Sequence, residues 1–225
     1  SVPYMSLKKT LLVTLLALFF QQASAQRNFD HYNRIGITGG TTLFDINTSD
    51  LTTEQGQGFE GGFTTRGAFR GPFDLIYGLS FYSNSIGVKG SVGANGAGDT
   101  QLIGYQIQAA QLGFLGSYNI VKHHLSLEFG PVLNISGQMK LDSERYKDYI
   151  LEGYSSLRAQ DIQDISPINF RVAGGLTCGF ESFRVSALYQ YGITNILGRL
   201  NDKGFEKTAF KGNSATIVFS GTLYF

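Results

Sequence analysis

A chain of 225 residues with a formal charge of +1 carries no field that would draw nucleic acid. Its single cysteine, Cys178, excludes an internal disulfide framework and a cysteine-based zinc site. With 29 glycines, 12 tyrosines and 18 phenylalanines against 4 prolines and no tryptophan, the composition suits strands with tight bends and aromatic anchors rather than helices.

Lys8 and Lys9 precede an apolar run, Leu11 to Phe20, and Ala23-Ser24-Ala25 is a small-x-small cleavage signal. Residues 1–25 therefore read as a secretory leader, with Met5 as its start and Ser1 to Tyr4 upstream. Residues 26–225 read as one all-β domain. Loss of the leader removes two lysines and takes the formal charge from +1 to −1. No later apolar run approaches the ~20 residues a spanning helix needs, so the chain can enter a membrane only as a barrel.

Period-two alternation then marks strands along the chain. The first, Tyr32 to Phe44, puts Ile35, Ile37 and Leu43 on one face. The second, Gly58 to Phe69, aligns Phe59, Phe63 and Phe69. A three-residue turn, pairing Arg70 with Asp74, leads to the third, Asp74 to Ile86, where Leu75, Tyr77, Leu79 and Phe81 line up. Residues 87–101 form a glycine-rich loop; no Lys-Ser/Thr and no helix follow, so it is a surface loop and not a phosphate cradle. The fourth strand, Leu102 to Tyr118, changes the parity of its apolar residues between Ile107 and Leu112, which places a bulge at Ala109-Ala110. The fifth is Leu125 to Gln138. A connection from Met139 to Pro167 has room for a short helix over Ser143 to Leu151. Strands six and seven form a hairpin about Glu181-Ser182, whose cross-strand partners have numbers summing to 363. A polar loop, 196–211, precedes the eighth strand, Gly212 to Phe225.

The short connections are 70–73, 119–124 and 181–182, and they alternate with long ones. An even-stranded up-and-down barrel puts all of these turns, and both termini, on one rim. That is the layout of an eight-stranded antiparallel transmembrane β-barrel with periplasmic turns and termini and extracellular loops. Tyr32, Phe44, Phe69, Phe73, Phe81, Tyr118, Phe180, Phe183, Tyr191 and Phe225 lie near strand ends, as interfacial girdles require. The face opposite the apolar one carries Arg34, Glu60, Arg66, Glu128, Arg171 and Arg184. Mixed charges of this kind suit a packed lumen, where paired side chains hold the interior together. In a soluble lipocalin-like barrel these positions would be solvated surface, where lysine is common; residues 58–86 and 165–195 contain none.

Leu102 to Gly137, Asp161 to Ile196 with its Phe-x-Val-x-Gly-Gly-Leu core and Tyr-Gly-Ile-Thr-Asn-Ile ending, and the final aromatic strand together resemble the porin-family outer-membrane β-barrels of Bacteroidota, the group that includes PorT-like proteins. Ala109 stands where that family commonly has a proline. The resemblance implies a small barrel in the outer membrane, either a porin-like protein or an accessory subunit of a secretion or barrel-assembly machine.

No catalytic constellation is legible. His31, His123 and His124 fall at the turn rim, and consecutive residues on an extended chain point apart. Asp142, Glu144, Asp148, Asp161 and Asp164 lack the spacing of a calcium loop. The expectation is a non-enzymatic barrel without cofactor or metal, in contact with outer-membrane lipid and with other outer-membrane proteins, acting as a structural or accessory subunit. The alternative is a small porin or ligand-binding barrel.

Overall fold

The computed structural model describes residues 32–92, 98–207 and 209–225. The leader expected over residues 1–25 lies outside them. Among the described residues nine strands follow in order: β1 (Asn33–Asn47), β2 (Thr53–Arg70), β3 (Phe73–Ser91), β4 (Thr100–Val121), β5 (Leu125–Leu141), β6 (Ile150–Leu151), β7 (Ile168–Gly179), β8 (Phe183–Gly192) and β9 (Asn213–Tyr224). β6 is two residues long and lies against the end of β3. The other eight pair antiparallel, each with its neighbour. β9 bonds to β1 and β2 to β3, so the sheet closes into an eight-stranded barrel without an edge through its wall. The turns at 71–72, 122–124 and 180–182, with residues 32 and 225, form one rim (the turn rim). The connections after β1, β3, β5 and β8 form the other (the loop rim).

The wall is apolar outside and polar inside. Ile35, Phe63, Tyr77, Leu112, Phe129, Phe170, Val185 and Phe219 are exposed on the outer face. Thr64, Arg66, Ser80, Gln111, Ser117, Glu128, Asn134 and Arg171 are buried in the lumen. This inversion is the mark of a membrane-spanning barrel: lipid is the solvent outside, and backbone groups are satisfied strand to strand. Among the described residues no helix is long and apolar enough to cross a membrane. Leu79→Arg, at mid-wall, should cost about 2–4 kcal/mol, whereas Phe73→Arg, beside a turn, should cost about 0–1 kcal/mol. Urea unfolding from liposomes measures both; equal costs would mean that the outer face does not meet a bilayer core.

The β7–β8 hairpin has the register expected of it, from Arg171 opposite Gly192 to Gly179 opposite Arg184. Elsewhere the structure corrects the reading. The Arg70–Asp74 pairing does not form. Arg70 pairs with Phe73 across a two-residue turn, Gly71-Pro72, where Gly71 takes a φ of 58°. The register then shifts between Ala68 and Arg70. The extra residue restores the parity that a three-residue turn would have kept. The bulge expected at Ala109-Ala110 is absent too, since β3 and β4 pair without a break from Ser91–Thr100 to Phe73–Tyr118. The irregularity belongs to the β4–β5 ladder, where Gly137 and Gln138 of β5 face Gln108.

The parity change in β4 has a different cause. Odd residues point inward along the whole strand, and what changes is the interior. At the turn rim it is polar and Ser117 fills it; at the loop rim it is apolar and Ile103, Tyr105 and Ile107 are buried there. Outside, the reverse holds: Leu112 and Phe114 are exposed on the apolar wall, and above them Gln106 and Gln108 are exposed instead. The same reversal moves Phe44, expected in a girdle, to full burial inside.

β3, β4 and β5 therefore run well past the apolar belt, and the loop expected over 87–101 shrinks to residues 92–99. The helix expected over Ser143 to Leu151 is one 3-10 turn, Glu144–Tyr146, followed by β6.

Candidate functional site

The interior is built in three levels. The one nearest the turn rim is a charge cluster on β2, β3, β5 and β8. Arg66 Nη2 pairs with the Glu128 carboxylate and donates to Ser117 Oγ at 2.7 Å. Arg66 Nη1 lies 3.5 Å from Asp74 Oδ2. Arg184 joins from β8, with Nη1 3.4 Å from Ser126 Oγ. All four charged side chains are almost wholly buried. Burial of this kind is tolerated only when each charge has a partner.

The second level is organised by Arg171, the largest fully buried side chain among the described residues. Its Nη2 donates to the Tyr82 hydroxyl at 2.8 Å, and that hydroxyl donates to Asn134 Oδ1 at 2.8 Å. Gln190 and Thr216 accept from Nη1 at 3.4 and 3.3 Å. Glu60 stands opposite Tyr82 in the ladder and makes no ion pair among the described residues. It borders an internal cavity of about 90 Å³ between the two levels, together with Gln111, Ser80 and Glu128. This has room for several water molecules among polar side chains.

The third level is an apolar cap. Phe44, Ile46, Ile86, Ile103, Tyr105 and Met139 from the strand ends pack against Leu151, Leu157, Ile162, Ile196, Leu200 and Phe210 from the long connections. Opposite charges stitch these connections together. Asp50 Oδ1 accepts from Lys207 Nζ, and its Oδ2 accepts from the Lys211 amide at 2.7 Å. Glu206 accepts from the amides of Ser155 and Ser156, each at 2.9 Å. Asp164 pairs with Lys203 at 2.8 Å and Arg199 at 3.3 Å.

These bonds set the pH response of the cap. Burial pushes the Asp50 carboxyl up, but the Lys207 and Lys211 hydrogen bonds and the lysine charge outweigh it and hold the group below its ordinary value. The Lys203 hydrogen bond does the same to Asp164, and the Ser156 amide to Glu206. A carboxyl depressed on folding adds stability above its ordinary value and loses it as pH falls through the depressed one. The cap should therefore hold at neutral pH and loosen in acid, below about pH 4. Lys207, raised by the Asp50 bond, keeps its contribution until pH passes above the ordinary lysine range. Hydrogen exchange over residues 193–212 should rise in acid before that of the wall; simultaneous loss would mean that the cap has no separate stability.

Of the six lumen residues read from the sequence, Arg66, Glu128 and Arg184 come together, while Arg171 and Glu60 lie one level above. Arg34 belongs to neither; it pairs with Glu181 at the turn rim, partly exposed, at 2.5 Å. Asp74 and Tyr82 were missed, although even positions of β3 face inward and both are even. With Asp74 counted, three arginines and three carboxylates balance inside the wall. Asp50 gave no local signal, since its partner Lys207 lies 157 positions away.

His31 lies outside the described residues. His123 Nε2 is 3.5 Å from Glu181, and His124 Nδ1 is 3.0 Å from the Gly179 carbonyl, both at the turn rim. Of the loop carboxylates, Asp148 pairs with Arg158, and Asp161 accepts from the Arg158 amide. Among the described residues no three His, Cys, Asp or Glu side chains converge as metal ligands. Cys178 is exposed on the outer wall.

Fold and interior together define a membrane-spanning eight-stranded β-barrel with a filled lumen and a folded cap. No family model matches the chain, and no curated protein matches it. Solved structures that are similar include three outer-membrane proteins. Neisserial surface protein A is 11% identical, with 85% of this chain and 97% of that one covered and a TM-score of 0.47. Ail, the attachment invasion locus protein of Yersinia pestis, is 12% identical, with 86% and 99% covered and a TM-score of 0.46. The outer membrane protein OprG from Pseudomonas aeruginosa is 12% identical, with 87% and 97% covered and a TM-score of 0.48.

Proposed function

We propose that this chain is a non-enzymatic outer-membrane β-barrel that passes no solute and serves as a structural or accessory subunit of an outer-membrane complex. Its leader, residues 1–25, takes it across the inner membrane. Its turn rim and both termini face the periplasm, and its cap faces outward. The observation that carries this reading is the filled interior. A buried charge cluster, the Arg171 level and an apolar cap lie in series along the lumen. A barrel so filled has its working surfaces at its rims and outer wall. The resemblance to PorT-like porin-family barrels supports a machine of the secretion or barrel-assembly type.

Two measurements test this. Reconstituted in a planar bilayer, the protein should give no stable conductance; steady channels would favour the small-porin alternative. Purified in mild detergent from native membranes, it should retain a large partner in fixed stoichiometry. Isolation as a lone barrel would remove the subunit reading.

A further inference from the structure

The β3–β4 hairpin stands beyond the end of its neighbour β5. The last rung between β4 and β5 is the Asp142 amide donating to the Gly104 carbonyl at 3.0 Å. After it the chain leaves through the 3-10 turn at Glu144–Tyr146. Gly104 therefore turns its backbone groups toward β5, and so do the other even residues of β4, because N–H and C=O directions alternate along a strand. Thr100 and Leu102 point the same way, with no strand beside them; β5 ends at Leu141, opposite Tyr105. Their odd neighbours, Gln101 and Ile103, bond back to β3 at Gly90 and Val88. The other side of the hairpin tip is covered, since β6 pairs with Gly90 and Ser91. Among the described residues the β4 side is an open edge.

Two further features mark this edge. Leu102 is 46% exposed and Val92 49% exposed, above the polar outer face of Gln106 and Gln108 and so outside the apolar belt. Carboxylates bracket it: Asp99 precedes Thr100, Asp142 lies directly over Gly104, and Glu144 follows. None of the three has an ion pair among the described residues, whereas nearby Lys89 is already matched by Glu54 at 3.5 Å. Natural proteins cover such an edge or blunt it with lysine or proline; this one carries neither.

We propose that the edge Thr100–Leu102 is a strand-addition site that takes an extended, basic-apolar segment of a partner protein. Backbone bonds to Thr100 and Leu102 hold the segment, an apolar side chain covers Leu102, and flanking basic residues meet Asp99, Asp142 and Glu144. This deepens the subunit reading and rests on its placement of the loop rim outside the cell.

The test uses the full-length barrel in detergent and a fluorescent peptide alternating lysine and valine. Saturable binding is expected, weakened by salt. It should be abolished when alternate peptide nitrogens of the probe are methylated, which removes the donors for the edge. Leu102→Pro deletes one of the two N–H groups that face the open side, Thr100 keeping the other, and leaves the β3 ladder intact. It should weaken binding about tenfold, the worth of one or two hydrogen bonds. Absence of saturable binding, or equal binding of the methylated peptide to the unaltered protein, overturns the site. Purification of Leu102→Pro from native membranes separates the two readings. A large partner kept by both proteins sinks the edge and spares the subunit reading; no partner on the unaltered protein sinks the subunit reading, and the peptide titration still judges the edge.

Discussion

Glu128→Ala will destabilise the barrel by about 3–5 kcal/mol, the cost of leaving a buried charge without its partner. Arg66 is the group left behind. It is enclosed by β2, β3, β4 and β5, with Ser117, Asp74 and Tyr224 among its remaining contacts and the like charge of Arg184 close by. Asp148→Ala removes a carboxylate from an exposed ion pair with Arg158 and will cost no more than about 1 kcal/mol. Urea unfolding in liposomes, or the temperature at which the barrel opens on gels, measures both. The double change Arg66→Met with Glu128→Leu should recover most of the loss, since a buried pair exchanged for apolar groups of similar volume is often neutral or better. If Glu128→Ala and Asp148→Ala open at the same temperature, the charge cluster does not hold the wall together.

Phe210→Ala will cost about 3–5 kcal/mol as well, by opening a cavity in a closely packed apolar cluster. The loss will appear in a different place. Phe210 is fully buried in the cap, stacked near Tyr154 with ring centroids 6.0 Å apart. Its backbone is fixed by Asn201, whose Oδ1 accepts its N–H at 2.6 Å, and by Asn195, whose Nδ2 donates to its carbonyl at 2.8 Å. Protease cutting within residues 193–212 should accelerate sharply while the wall keeps its unfolding midpoint. A shift of the wall with no change in cutting would mean that the cap and barrel melt as one unit.

The wall was legible in the sequence because its physics is local. Alternation of side chains fixes which residues share a face, so Phe170, Val172 and Leu176 could be assigned with Val185, Ala187 and Tyr189 from the hairpin register alone. The turn at Arg70 was misread because a two-residue turn with a bulge and a three-residue turn keep the same parity. The β4 bulge was misplaced for a related reason. A change in apolar parity can come from a slipped register or from a change in what the interior is made of, and alternation does not separate the two. The cap was not legible. Asp50 and Lys207, or Tyr105 and Ala159, meet only after every strand between them is in place. The carboxylates of the 139–167 connection therefore showed only the lack of calcium-loop spacing, although Asp164 is a binding post for Arg199 and Lys203. Within the lumen parity marked Glu60, Arg66, Glu128, Arg171 and Arg184 but not Asp74, and the grouping into two levels came from strand stagger, which one sequence does not display.

Barrel closure joins β1 to β9, from Gly36 opposite Tyr224 to Asn47 opposite Asn213. Those strands lie at opposite ends of the described chain, so the seam cannot be sewn until the last strand has arrived. Any earlier intermediate in lipid would present two rows of unsatisfied amides and carbonyls, each costing several kcal/mol. Assembly is then a single committed event made by a whole polypeptide. Until that moment the aromatic wall residues, which face outward on the closed barrel, have no sheet to hold them all toward lipid.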